Sequence, residues 1–577
     1  MFNFIKVSSP ACRYFINIEN EMNTKVLMNT MPLDGIKVAY IDLSEEKAEI
    51  RDRSDLSRYF GGAGAAFKLL SEYKDVMRGD ALQPEQPIIF SKGFFTGIYP
   101  CATKVTAAFK SPLTGELGES HAGGKLAYAM ASAGLDAIVI EGTSETPVYI
   151  RIDESGVEIK EAEELWGLSC IKVENQLKGK SRMYIGEAGE KQIPFACVVV
   201  DVYRHFGRLG LGALFGSKGL KAITISGNNR VKVNSRYYRE IIERIKEDKD
   251  IKKYSEGYGT SENTAMMNEV SGLPVKNLQT NRFDVEGITE DAFAKFLVEK
   301  KTCSGCPIRC INVAKLREGE KIAYDYEPIY SLGLLLGIGE AEEVLRLLEK
   351  VEEYGLDAIA TGNLLAWATE AYERGLVELP VPLKFGATEN YLETIDRVVK
   401  GEGIYKDLRK GTEYASSIHG GKDFALTLGK NAIAGYHTGY ALILGQAVGQ
   451  RHSHMDNNAW FQDFDKRPPD AAVDELIYDE KKRCLMNSMG LCLFTISVYD
   501  LKLISEGLKA IGINKGEEEL FEIGEEIFDL KKEIKRACGF EYEDLSFPGR
   551  LFETESMNGV LNREIMDKML KRYVERM

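Results

Sequence analysis

Three cysteines fall within eight residues of this chain, Cys303-Ser304-Gly305-Cys306-Pro307-Ile308-Arg309-Cys310, in the spacing C-x2-C-x3-C. A tight loop with that spacing turns three sulfurs to one side and leaves a fourth for the fold to bring up. Cys492, in Asn487-Ser488-Met489-Gly490-Leu491-Cys492, is the candidate. Three close thiolates and one remote thiolate can hold an iron–sulfur cluster. A structural zinc site also takes four thiolates, usually as two C-x2-C pairs, and no second pair stands here. A radical-SAM loop would run C-x3-C-x2-C, the reverse order. A disulfide is disfavoured in a long chain that carries no recognisable secretory signal. On spacing alone, cluster, zinc and inert thiols all stay open, in that order of preference.

At 577 residues the chain is long enough for about two to four domains and a large core. Its formal net charge of −14 argues against nucleic acid as a partner, which asks for a basic face. No run of eighteen apolar residues occurs, so no membrane span is expected. Ten cysteines in a chain of this size point to a reducing compartment, hence a cytoplasmic expectation. Cys12, Cys101, Cys170, Cys197, Cys484 and Cys538 are scattered and read as plain thiols. Residues 1–32 have neither a long apolar segment nor a small-residue cleavage site and read as an N-terminal extension. Met22, Met28 and Met31 leave a later start as the other reading.

From Gly35 the pattern is strand-rich. Lys37–Leu43 alternates and pairs by expectation with Lys47–Ile50 across Ser44-Glu45-Glu46. Gly61-Gly62 opens a helix through Leu70, and Gly123-Gly124 another to about Ala133. Pro87–Phe90, Lys104–Phe109 and Ala137–Ile140 read as buried strands, and Pro147–Ile152 with Val157–Ile159 as a hairpin. Glycines recur around Ile185–Glu190 and Arg204–Gly212, where amides and two arginines can face a phosphate. Neither a P-loop nor a dinucleotide fingerprint is present, and ordinary turns in a β domain remain the other reading. After about Val233 apolar residues recur at three and four. Helices are expected over Tyr237–Lys249, Thr289–Lys300, Ala341–Glu353, Ala358–Arg374, Leu392–Lys400, Asp474–Ser488 and Glu517–Lys535. The division is therefore 1–32, a β-rich 33–230, and a mainly helical 231–577 that carries the cysteine loop.

These pieces together resemble the aldehyde:ferredoxin oxidoreductase family, the tungsten-containing enzymes of anaerobes. The marks are the cysteine loop with Pro307, the remote Gly490-Leu491-Cys492, Tyr354-Gly355-Leu356-Asp357, Lys110-Ser111-Pro112-Leu113-Thr114-Gly115, and Arg204 with Gly207-Arg208 and Gly210. They stand in the family's order from about residue 35 to the end. The resemblance implies an α+β fold. A β-rich first domain forms the base of a bis-pterin site, and two largely helical domains cover it. It further implies tungsten, or molybdenum, held by the dithiolenes of two pterins, one 4Fe–4S cluster beside them, and a magnesium ion bridging the pterin phosphates.

Carried onto this sequence, the resemblance makes Cys303, Cys306, Cys310 and Cys492 the cluster ligands. The family's pterin motifs DxxGxD and DxxGLC correspond here to Glu352–Asp357 and Asn487–Cys492. Asp357 and Leu491 match, while Glu352 and Asn487 replace aspartates, so pterin contacts there are expected in altered form. Arg204 matches a phosphate-contacting arginine. Lys104 stands for an arginine, giving a point charge in place of a fork. His121 stands where an asparagine serves magnesium, which weakens that site, Gly123 is kept, and Ala63 replaces a frequent arginine. Glu327 aligns with a glutamate beside the metal and is the expected general base. His454 aligns with an active-site histidine and is the expected donor to the substrate oxygen, with His452 as its competitor.

The implied reaction oxidises an aldehyde to a carboxylic acid, with electrons leaving through the cluster to ferredoxin or a small iron–sulfur subunit. A homodimer or heterodimer is the family habit. Two alternatives belong beside it. One is a reductase of the same family acting on an aromatic acyl thioester or a carboxylate. The other is an electron-transfer protein that has kept the cluster and lost the pterin, motivated by Ala63, His121, Glu352 and Asn487.

Overall fold

The computed structural model describes residues 35–229 and 235–577. The expected extension over 1–32, Cys12 and the boundary at 230 lie outside the described residues. Two six-stranded sheets build the first part. In the first sheet, β1 (Ile36–Asp42), β2 (Lys47–Arg53), β3 (Ile88–Lys92), β4 (Val105–Lys110), β5 (Leu117–Ala122) and β6 (Ala137–Glu141) run in the order β2-β1-β6-β3-β4-β5. Its β1–β2 hairpin closes at Asp42 and Lys47, as the alternation predicts. β4 is buried along its whole length. Its side chains are covered on both faces, which is why Val105, Ala107, Ala108 and Phe109 show no alternation of apolar and polar residues.

The second sheet contains β7 (Val148–Asp153), β8 (Gly156–Glu161), β9 (Ser181–Tyr184), β10 (Val198–Val200), β11 (Arg204–Phe206) and β12 (Leu220–Ile225), ordered β11-β10-β9-β12-β7-β8. Ile88, Phe90, Ile138 and Ile140 of the first sheet pack against Val148, Ile150, Val198 and Ile223 of the second. On the other face of the first sheet, Val38, Ile89 and Val139 share a core with Leu485, Ile523 and Ile527 of two long helices, Pro469–Met489 and Glu517–Ala537. Side chains of successive strand residues point to opposite faces, so the first sheet is the middle layer between the second sheet and the helices.

The rest is mainly helical around one large core. One expectation fails there. Thr289–Lys300 is not a helix: only Glu290–Ala294 is helical, and Leu297–Lys301 is a strand, β13. It pairs antiparallel with β14 (Ile311–Lys315), which pairs with β15 (Lys321–Tyr324). Hydrogen bonding to β14 overrides a helical spacing of Ala292, Phe293 and Phe296. The cysteine loop is the connection between β13 and β14, so a small sheet rather than helices carries it.

Candidate active site

A cavity of about 420 Å³ lies where the two sheets meet the helical part. Cys303, Cys306, Cys310 and Cys492 line it, together with Lys104, His121, Arg204, Asn487 and Leu491, and so do Glu327 and His454. The structure thus gathers most of the residues singled out from sequence into one space.

At the cysteine end, each turn of chain is fixed by a specific contact. Gly124 donates its N–H to Cys303 Sγ at 3.2 Å, and Ile308 donates its N–H to Cys306 Sγ at 3.4 Å. Arg204 Nη2 stands 3.6 Å from Cys310 Sγ. At Cys310 burial nevertheless outweighs the arginine and pushes the thiol up to about 12. A Cβ at Gly123 would come within 2.8 Å of Cys303 Sγ, so this glycine seats the cysteine loop directly. Cys492 arrives by a different route. The helix Pro469–Met489 ends at Gly490, in the left-handed conformation (φ +74°), and the chain then pairs Leu491 with Ala102. Gly490 passes against Gly93, and Lys104 donates its N–H to the Gly490 carbonyl at 3.0 Å. The same device recurs at the other motif. Helix Ala341–Tyr354 ends at Gly355 (φ +72°), Leu356 pairs with Ala196, and Asp357 N–H donates to the Phe195 carbonyl.

Among the described residues, no three His, Cys, Asp or Glu side chains are drawn together tightly enough to hold a single metal ion. The four thiols line one end of a cavity, an arrangement that suits a larger group.

Elsewhere in the lining, Glu327 sits in the first turn of the helix Tyr326–Leu332, which follows β15. Its Oε2 accepts the Gly435 N–H at 3.3 Å. His454 Nε2 stands 3.3 Å from Glu327 Oε1, but that oxygen makes no hydrogen bond. Burial, with the Asp325 carboxylate adding to it, pushes the Glu327 carboxyl up to about 8. Burial also pushes His454 down to about 3, helped by Arg208, Arg451 and Arg483, so its imidazole is neutral. His452 is elsewhere: its Nδ1 donates to the Ala447 carbonyl at 2.7 Å, and Nε2 lies 2.9 Å from both Glu116 and Lys535. Of the two histidines, His454 lines the cavity and His452 does not. Tyr326, Tyr436 and Trp460 form an aromatic wall beside the pair, Tyr436 with its ring 5.5 Å from that of His454.

Several buried polar atoms of the lining make no hydrogen bond within the protein, among them the donors Thr103 Oγ1, Arg204 Nε, and Nε and Nη1 of both Arg208 and Arg483, together with His454 Nδ1. Each such group left without a partner costs roughly 1–3 kcal/mol. A polar, anionic group seated in the cavity would satisfy them.

Three expected residues are placed differently. Glu352 does not line the cavity, and its carboxylate is taken by His205 at 2.7 Å. Burial opposes the charged form of His205, but Glu352 outweighs it and holds the pKa up. The longer glutamate thus reaches a neighbour instead of the cavity. Asp357 caps the helix Ala358–Glu373 through Ile359 N–H at 2.9 Å, and its Oδ2 stands 3.6 Å from Arg208 Nε. His121 has both ring nitrogens engaged, Nε2 with Glu119 at 2.8 Å and Nδ1 with Thr106 at 3.1 Å. Its side chain therefore does not offer a ligand to magnesium. Sequence reasoning missed Arg483 and the aromatic wall as cavity residues, and it read Cys101 as a plain thiol. Cys101 Sγ lies 3.5 Å from Cys306 Sγ. No local spacing signals that contact.

No helix of the described residues is long and apolar enough to cross a membrane. Residues 38–227 match the family description "Aldehyde ferredoxin oxidoreductase, N-terminal domain", and residues 236–577 match "Aldehyde ferredoxin oxidoreductase, domains 2 & 3". A tungsten-containing aldehyde ferredoxin oxidoreductase of Pyrococcus furiosus is 31% identical over 567 residues, 91% of this chain and 93% of that one. Its counterpart in Thermococcus kodakarensis is 30% identical over 571 residues, 92% of this chain and 94% of that one. A second Pyrococcus furiosus protein, the WOR-like subunit of an aliphatic sulfonate oxidoreductase, is 30% identical over 66% of each chain. The active-site complex BamBC of benzoyl coenzyme A reductase superposes with a TM-score of 0.82 over 94% of each chain at 20% identity, a likeness of fold. With both family domains matched in order along nearly all of its length, this chain belongs to the aldehyde ferredoxin oxidoreductase family of oxidoreductases.

Proposed function

We propose that this protein is a tungsten-pterin oxidoreductase that converts aldehydes to carboxylic acids and passes the electrons through a 4Fe–4S cluster to an external carrier. The carrier is ferredoxin or a small iron–sulfur subunit. One observation carries the reading: a single cavity joins the Glu327–His454 pair to four thiols and is lined by Arg204, Arg208 and Arg483, each of which keeps at least one guanidinium N–H without a hydrogen bond. The donors at Arg204, Arg208 and Arg483 fit the phosphates and heteroatoms of a bis-pterin. When bound, the metal supplies the two-electron oxidation and the oxygen transfer. The curated relatives that this chain matches over most of its length are named as tungsten-containing, which favours tungsten over molybdenum.

The chain's own residues have separable tasks. Cys303, Cys306, Cys310 and Cys492 would hold the cluster, whose loop reaches the surface at Thr302 and Arg309 and so offers electrons a short way out. Glu327 in its ionised form accepts a proton from water or from the hydrated aldehyde. A carboxylate whose pKa has been raised towards neutrality is a stronger base than an ordinary one. Neutral His454 donates one N–H to the substrate oxygen, where negative charge grows as the carbonyl is attacked. The aromatic wall of Tyr326, Tyr436 and Trp460 excludes water from this end. His121, with both ring nitrogens taken, is assigned to the frame around the cofactor, and no magnesium role is given to it.

A retained cluster without a pterin would leave Glu327, His454 and the free guanidinium N–H groups of Arg204, Arg208 and Arg483 with nothing to do. The test is an aldehyde panel with a viologen dye as acceptor, run beside carboxylate and acyl-thioester substrates in the reducing direction. Turnover of aldehydes with acid as product is the expected result. Activity confined to the reducing reactions would overturn the substrate assignment and leave the fold and cofactors standing.

A further inference from the structure

Five thiols, not four, gather at the cysteine end of the cavity. Cys101 is buried, with its Sγ 3.5 Å from Cys306 Sγ. Main-chain hydrogen bonds tie it to both segments that bear the other thiols. Its N–H donates to the Gly305 carbonyl at 3.0 Å, and its own carbonyl accepts the Cys492 N–H at 3.1 Å. Its backbone is left-handed, φ +62°, a conformation that a non-glycine residue keeps only where its surroundings impose it. The Cys101 side chain is thereby aimed at one sulfur of the cysteine loop. Cys306 Sγ already receives the Ile308 N–H at 3.4 Å, so Cys101 is a second donor to the same atom.

We infer that Cys101 is a positioning residue that sets the potential of the cluster by donating an S–H···S hydrogen bond to the Cys306 ligand. The inference rests on the cluster assignment made under the proposed function. A cysteine that ligates iron does so as a thiolate and has no proton to give, so the proton of this pair belongs to Cys101. Reduction adds negative charge to the cluster and its sulfurs, and a hydrogen bond to a ligand sulfur favours that state. The potential of an iron–sulfur cluster responds to such bonds. The donor therefore makes the cluster easier to reduce and keeps it a competent acceptor for electrons from the active site.

The test uses the full chain, purified without oxygen, as wild type, Cys101→Ala and Cys101→Ser. Iron per chain is measured first, then the midpoint potential of the cluster by redox titration followed by electron paramagnetic resonance. All three proteins are expected to keep about four iron. The alanine variant should titrate at a lower potential, and the serine variant, whose O–H restores a donor, should return towards the wild-type value. An alanine variant with full iron at the wild-type potential would overturn the inference. Loss of iron from both variants would also overturn it, making Cys101 a ligand or a structural residue. A wild-type protein without iron would instead sink the cluster assignment itself, an outcome distinct from either.

Discussion

Glu327 and His454 show what burial does to individual side chains. An exposed glutamate in the first turn of a helix is an ordinary carboxylate with a favourable dipole interaction. Here desolvation outweighs that and raises the carboxyl to about 8, with Asp325 contributing in the same direction. The sign of the effect fixes a prediction. Burial penalises the ionised form, and the ionised form is the base, so kcat/KM with aldehyde should climb as pH rises through the region near 8, well above the usual carboxylate range. Glu327→Gln should lower turnover by about 10²–10⁴-fold, the typical contribution of a positioned base, while tungsten and iron content stay at wild-type levels. A Gln variant with undiminished turnover would contradict the role. Spacing made the three loop cysteines visible from sequence, and likeness to a known family supplied Glu327 and His454. Cys101 and Arg483 were not legible, because their neighbours come from distant segments. Glu352 misled for a related reason: its position in a motif says nothing of His205, which captures it.

At the scale of elements, the two glycine-bearing motifs at 352–357 and 487–492 are helix ends built alike. A left-handed glycine stops the helix, the next residue pairs with the β domain, and the residue after that is Cys492 or Asp357. Gly490 does two things at once, and a matched pair of variants separates them. Gly375 also has a left-handed backbone (φ +70°), but a Cβ there meets nothing within 4 Å. A Cβ on Gly490 would lie 2.6 Å from Gly93 Cα and 3.1 Å from the Lys104 carbonyl. Gly375→Ala should therefore cost only the backbone strain, about 1–2 kcal/mol. Gly490→Ala should cost distinctly more and also loosen the cluster, read as a lower melting temperature with reduced iron per chain. Equal melting shifts for the two would contradict the close-approach account. Helix existence was readable from apolar spacing over most of the second half. It failed at Thr289–Lys300, where the partner strand decides and local pattern does not. The small sheet that results carries the cysteine loop and, through β15, delivers Glu327.

The molecule as a whole is arranged so that no one part contains the site. The second sheet supplies Arg204 on β11, the first supplies Lys104 just before β4, the small sheet supplies three thiols, and a helix end brings Cys492. The α+β character and the order of β-rich before helical sequence were legible because alternation and three–four spacing change partway along the chain. The cavity was not, since its lining is assembled from segments throughout the sequence. A cavity lined by four thiols, a carboxyl–imidazole pair and arginines with free guanidinium N–H groups has those groups satisfied only when filled, and this makes its content the central question. The most direct measurement is elemental analysis of the protein purified without oxygen from cells supplied with tungsten and molybdenum. The account predicts about one tungsten and about four iron per chain. Four iron with neither heavy metal would contradict the oxidoreductase reading, and a protein free of both would contradict the account from its first motif onward.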